Sequence, residues 1–192
     1  MKILIVDEHL MFRQGLAALL SRELAEVELR HAGTATEARR RLGWAERVTL
    51  GLSLPDQHGL RFLREIRPDY PELPVIVLTA FDEKAFRRRA AELGAAAFIC
   101  KRQPFAEVLA ALLHPQGCGE AADWSGLEPL SEAEREVLLL LGQGLANSEV
   151  AERLGIRLKT VYSYRRQLLL KLALPGASCL LRYAALYYSS LN

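Results

Sequence analysis

The sequence predicts two domains in series: an α/β domain on a doubly wound, five-stranded parallel sheet, then an all-α domain of four helices. Three observations carry this. Before His114, short apolar runs alternate five times with segments of helical period. The stretch "HPQGCGEAADWSGLEP" then shows no period and is rich in Gly and Pro, and beyond it only helix signals remain. The expected boundaries are 1–114 and 129–192, with a linker over 115–128 in which Trp124 is placed to pin the chain against one domain.

In order, "KILIVD" reads as a strand buried on both faces and ending in an acid. Phe12, Leu16, Leu19 and Leu20 recur at helical spacing after it, and "VELRHA" resumes strand character. A helix around Thr36 to Leu42, a strand at Val48 to Gly51 and a helix from Leu60 to Ile66 follow, the last stopped by Pro68. "LPVIVLT" is the fourth strand, Lys84 to Leu93 a helix closed by Gly94, "AAAFIC" the fifth strand, and Pro104 opens a helix toward Leu113. A glycine at the end of the third strand packs nothing, so Gly51 marks a close approach of backbone or a lost side chain.

The helical part opens with Ser131 and Glu134 in capping-box spacing, and Val137, Leu138 and Leu141 follow before "GQG". Asn147 is the expected N-cap of a second helix, which runs through Val150 and Leu154 to Gly155. A long basic helix starts near Leu158, and "PGAS" separates it from a last helix carrying Leu180, Leu181 and Ala184.

The 192 residues, 51% of them hydrophobic, suffice for two small cores. No apolar run approaches the roughly 20 residues of a membrane span, and no basic start is followed by an apolar run and a small-residue cleavage site, so no membrane role is expected and the cytoplasm is the expected compartment. Cys100, Cys118 and Cys179 are scattered, without metal-ligand spacing, and read as reduced thiols. The net charge of +2 hides an asymmetry: no Asp or Glu follows Glu152, whereas Arg153, Arg157, Lys159, Arg165, Arg166, Lys171 and Arg182 do. One sign of charge over a whole segment points to an anionic partner, with nucleic acid first.

A helix, a turn containing Gly155 and a second helix with basic residues is the pattern of a helix-turn-helix. On a 3.6-residue helix Val161, Tyr164, Leu168 and Leu172 share the inner side. Lys159, Tyr162, Ser163 and Arg166 share the outer one, with Thr160 beside them, and form a set able to read major-groove edges. Arg157, Arg165 and Lys171 flank that stripe at positions suited to phosphates.

"LSEAEREVLLLLGQGLANSEVAERLGIRLKTVYSYRRQLLLKLAL" resembles the LuxR-type DNA-binding domain, and nearly the whole chain resembles a response regulator of the NarL/FixJ type. The resemblance implies a third helix that enters the major groove of promoter DNA. It also implies a homodimer on DNA, with Leu180, Ala184 and Tyr187 on or near the contact of the fourth helix. Two positions depart from the family pattern: Arg157 stands where Ser or Thr usually caps the recognition helix, and Leu170 where a basic residue is common.

The first domain resembles a receiver, whose chemistry places a nucleophilic Asp after the third strand. Asp7 and Glu8 match the acid pair that helps hold Mg²⁺, Thr79 the hydroxyl, Lys101 the cation and Phe98 the switching aromatic. Gly51 stands at the nucleophile position, and glycine can neither attack phosphorus nor ligate a metal. Lys101, deprived of that partner, is expected to pair with Asp7 or Glu8. A nucleophilic Ser53 would need a base and a new geometry, and Asp56 reads as a turn-forming acid; the runs Arg39–Arg41 and Arg87–Arg89 read first as solvated helix faces, the second also as a contact for a partner or an acidic ligand.

The expected protein is a sequence-specific transcriptional regulator, without enzymatic activity or cofactor, that works independently of aspartyl phosphorylation. Control by expression level, by a protein partner or by a small ligand at the receiver-like domain is left open. So are two rival readings: phosphorylation at a non-standard residue, and titration of another regulator without DNA reading.

Overall fold

The first 80 residues of the computed structural model are described, with 84–115, 130–174 and 176–189. The chain forms two compact units. In the first, β1 (Lys2–Val6), β2 (Glu28–Ala32), β3 (Arg47–Leu50), β4 (Val75–Thr79) and β5 (Ala97–Cys100) make one parallel sheet in the order β2-β1-β3-β4-β5. The helices between and after them are α1 (Leu10–Glu23), α2 (Ala35–Arg39), α3 (Gly59–Ile66), α4 (Lys84–Glu92) and α5 (Phe105–Leu113).

Helices on both faces explain the near-continuous apolar strands. On one face Leu4, Val6, Val48, Leu50 and Val75 pack with Phe62, Leu63 and Ile66 of α3 and Ala35 and Ala38 of α2. On the other, Ile3, Ile5, Ile76, Leu78 and Ile99 pack with Leu16 and Leu20 of α1 and Val108, Ala111 and Leu112 of α5. Alternate residues of one strand thus serve opposite cores, as the period of 2 requires.

Local chemistry adjusts the expected element ends. The helix expected over Thr36 to Leu42 stops at Arg39 and gives way to a 3₁₀ turn, Leu42–Trp44. Its start is capped twice. Thr34 accepts from Glu37 N–H, and Asp56, twenty residues on, accepts from the N–H groups of Ala35 and Thr36 and from the Thr36 hydroxyl, each at 2.8 Å. Asp56 is therefore a capping acid for a distant helix. Arg67 ties the end of α3 to its surroundings by donating to the carbonyls of Tyr70, Pro71, Leu73 and Gly94.

The second unit holds α6 (Glu132–Gly142), α7 (Asn147–Arg153), α8 (Leu158–Lys171) and α9 (Ala177–Ser189). The capping box is present: Ser131 N–H donates to Glu134 Oε2 at 2.7 Å, and Glu134 N–H donates to Ser131 Oγ. At the next helix the expectation needs correction. Ala146, not Asn147, is the N-cap of α7, and its N–H is held by the Glu149 carboxylate at 2.6 Å. One carboxylate three residues on closes the helix start and frees the Asn147 side chain, which accepts from Arg165 Nη1 at 2.6 Å. Gly155, at φ +64°, makes the turn into α8, while Ile156 N–H reaches back to Ala151 O at 3.0 Å.

The expected linker lies outside the described residues apart from Pro115, as do Trp124 and Cys118. Among the described residues no helix is long and apolar enough to cross a membrane.

Candidate functional site

In parallel α/β sheets the functional edge lies at the carboxyl ends of the strands. Here the backbone ladder runs one residue past β1, β3 and β5. Val6 and Leu50 are register partners, as are Thr79 and Cys100. Asp7 N–H then donates to Ala32 O, Gly51 N–H to Val6 O at 2.8 Å, and Lys101 N–H to Thr79 O at 2.7 Å. These bonds set Asp7, Gly51 and Lys101 at one edge, with Thr79 buried at the end of β4 and Phe98 buried within β5.

Asp7 is the hub of this edge and is only 1% exposed. Lys101 Nζ lies 2.5 Å from Asp7 Oδ2, the ion pair expected once residue 51 has no carboxylate. The same ammonium sits over the Phe12 ring, 4.2 Å from its centroid. Asp7 Oδ1 accepts from His9 N–H at 3.0 Å, and Arg13 Nη1 donates to the Asp7 carbonyl at 2.5 Å. His9 Nδ1 also lies 3.0 Å from Glu8 Oε1. Buried charge is thus matched by opposite charge and by N–H donors, which its desolvation requires.

Gly51 has a steric role here. A Cβ at residue 51 would lie 2.6 Å from Asp7 Oδ2 and 3.3 Å from Asp7 Cγ, so the Asp7 side chain occupies the space of the missing one. The Gly51 carbonyl is crowded from the other side, since a Cβ on Gly59 would collide with it, and Gly59 N–H donates to Leu52 O at 2.8 Å. His58, just before, caps α3 by accepting from Leu60 N–H, and burial pushes its pKa down to about 4.

Receivers use Mg²⁺, and the donor set decides whether this pocket fits it. A hard cation wants several oxygens at near-octahedral positions. Asp7, Glu8 and His9 offer ligand atoms within 4.8 Å of one another, yet Asp7 has one oxygen on an ammonium and the other on an N–H. Residue 51 contributes no side chain. The set does not fit the receiver ion.

The two other acid or hydroxyl candidates are accounted for by structure. Asp56 caps α2; burial raises its carboxyl, but the hydrogen bonds from Thr36 and Ala35 more than offset this and leave it below the ordinary carboxylate range. Ser53 is exposed and pairs through its backbone with His58. The arginine runs are mostly tied down as well: Arg39 pairs with Glu65 at 2.6 Å, Arg41 donates to His31 O, and Arg89 pairs with Glu92.

The second candidate surface is α8. Val161, Leu168 and Leu172 are buried and Tyr164 is half-buried, as the helical period requires. Lys159, Tyr162, Ser163 and Arg166 are all exposed, with Arg157 before them and Thr160 half-buried beside them. Arg157 provides no side-chain cap; within the first turn of α8 Thr160 N–H donates to the Arg157 carbonyl at 2.8 Å instead. Ser163 Oγ donates to Lys159 O at 3.2 Å.

Two flanking cations are engaged inside the unit. Arg165 holds Asn147 of α7, and Lys171 Nζ lies 2.9 Å from Glu134 Oε2, which joins the end of α8 to the start of α6. Burial raises the Glu134 carboxyl, but hydrogen bonds from Ser131 and Lys171 outweigh it and hold it below the usual range.

Of the residues expected on or near the contact of α9, Leu180 and Ala184 are both 0% exposed. Their helix packs on α6 so closely that a Cβ on Gly142 would collide with the Ala184 carbonyl oxygen. Tyr187 is half-buried, and among the described residues Ala177, Leu181 and Ala185, four apart, form an open stripe on α9.

Comparison with known proteins agrees with both halves. The response regulator receiver domain model matches residues 3–113, and the model for bacterial regulatory proteins of the luxR family matches residues 128–184. The chain is 32% identical to the transcriptional activator protein ExaE of Pseudomonas putida, over 96% of this chain and 95% of that one. It is also 32% identical to the transcriptional regulatory protein UhpA of Salmonella typhimurium, over 91% and 92%. In fold it matches RcsB of Salmonella enterica serovar Typhimurium bound to promoter rprA, with a TM-score of 0.81 and 24% identity over the whole of both chains. The chain therefore belongs to the response regulators that join a receiver domain to a luxR-family domain, and it is a DNA-binding transcriptional regulator, not an enzyme.

Proposed function

We propose that this regulator binds promoter DNA as a homodimer in the cytoplasm and does so without phosphorylation of a receiver aspartate. The observation that carries the second part is the Asp7 carboxylate, which fills the place of the absent side chain at Gly51 and pairs with Lys101. In this reading residues 1–114 are the receiver-like domain, 115–128 the linker and 129–192 the DNA-binding domain. An ion pair takes the place that a phosphoryl group and its metal would need, so phosphoryl chemistry has neither acceptor nor room. Control then falls to protein level, to a partner or to a small ligand at the receiver-like domain.

The exposed stripe Lys159, Tyr162, Ser163 and Arg166 supports DNA reading by α8, with Thr160 at its border and Arg157 on the phosphates. Arg165 and Lys171 position α8 against its neighbours and leave the phosphate role to others. For the dimer, the open stripe Ala177, Leu181 and Ala185 replaces the buried pair Leu180 and Ala184. RcsB dimers have been seen bound to DNA.

Two measurements test this. Incubating the full chain with labelled acetyl phosphate and mapping the products by mass should yield no phosphorylated residue; label on Ser53 or another side chain would replace this reading with non-standard phosphorylation. Binding to genomic fragments should be selective and salt-sensitive. Equal, weak binding to all fragments would favour a protein that titrates another regulator.

A further inference from the structure

The recognition stripe has an apolar margin that cationic and hydroxyl chemistry does not explain. Leu158, the first residue of α8, is 43% exposed, and Tyr162, one turn on, is 56% exposed. Residues four apart are neighbours on a helix surface, so the Leu158 side chain and the Tyr162 ring border each other. Around them stand Arg157, Lys159 and Arg166, all exposed. A single exposed leucine is ordinary. One at the first position of a recognition helix is not in an ordinary place, because the N-terminal residues of that helix are those that meet base edges.

Resting on the DNA-binding reading above, we infer that Leu158 is a base-reading residue that packs, beside the Tyr162 ring, on the C5-methyl of a thymine. The methyl is the only apolar group that bases present in the major groove, and no other edge rewards an aliphatic side chain. Arg157, just before the helix, is placed for a phosphate and brings the leucine into the groove. Lys159 and Arg166, on the same stripe, are suited to guanine acceptors. The binding site thus combines guanine with a thymine whose methyl matters.

The test uses duplexes selected by the full-length wild-type protein from a random-sequence pool. Each thymine of the selected site is replaced in turn by uracil, which removes only the methyl. Wild type should lose about four-fold in affinity at one position, the worth of one apolar carbon. Leu158→Ala should lose a similar factor on the thymine duplex and nothing further on the uracil duplex. Equal thymine-to-uracil ratios for wild type and Leu158→Ala, or no sensitive thymine, would overturn the assignment while leaving selective DNA binding intact. If the wild-type protein selects no sequence at all, the DNA-reading proposal falls and takes this inference with it.

Discussion

The carboxylate of Asp7 stands where a side chain of Gly51 would be, its Oδ2 only 2.6 Å from the Cβ position of residue 51, and it meets Lys101 there at 2.5 Å. The space beside Gly51 and the Asp7–Lys101 ion pair coincide. Any residue larger than glycine at 51 has to move Asp7.

Gly51→Ala is the smallest change that tests this. The added methyl pushes Asp7 off Lys101 and leaves two charges poorly matched in a buried place. Urea unfolding of the full chain should show a loss of about 1–3 kcal/mol. An unchanged midpoint would mean that Asp7 turns aside freely and that the ion pair holds nothing.

His58 gives the receiver-like domain an acid sensitivity. Burial holds its folded pKa at about 4, against an ordinary value of 6.5, so protons bind the unfolded chain first. Its contribution is intact above about pH 6.5 and falls as pH drops toward 4, by up to roughly 3 kcal/mol. His58→Asn keeps an N-cap acceptor for α3 and removes the titration. Denaturant midpoints measured between pH 7 and 4 should therefore fall less steeply for the variant.

Ala173 turns the chain out of α8 at φ +49°, a left-handed conformation in which its Cβ is crowded. Leu174 N–H closes the turn by donating to Leu169 O at 2.9 Å. Ala173→Gly should stabilise the helical domain by about 0.5–1 kcal/mol, the relief of strain less the extra entropy of the unfolded glycine. A fall in melting temperature would refute the strain.

Two cations on α8 should separate cleanly. Arg166→Ala should cost about 1–3 kcal/mol in binding to a selected duplex and relax selectivity, with folding unchanged. Lys171→Ala should leave the salt slope of DNA binding unchanged but lower stability by about 1–3 kcal/mol, because buried Glu134 loses its ammonium. A reduced salt slope for Lys171→Ala would return that residue to the phosphates.

Much of the fold was legible because its signals are local. The apolar runs of β1 and β4, the Ser131–Glu134 capping box and the stripe of α8 each depend on residues a few positions apart. Errors arose where a partner came from afar. Asp56 looked like a turn former because nothing near it reveals that it caps α2. Asn147 looked like a cap because its competitor, Glu149 reaching back to Ala146, is visible only as geometry. For Leu180 and Ala184, both buried, one face of an apolar helix does not announce in sequence whether its own domain or a second copy covers it.

By itself the sequence determined the strand and helix order, the two-part architecture, and the absence of a carboxylate at residue 51, since periodicity and residue identity are properties of the chain. Only the tertiary structure decided what replaces that carboxylate. Asp7, Gly51 and Lys101 are brought to one edge by the register of β1, β3, β4 and β5, and once there, burial forces the remaining charges to find each other. The same holds for Lys171. Its charge is written in the sequence, but its partner, buried Glu134, is set by how α8 packs against α6.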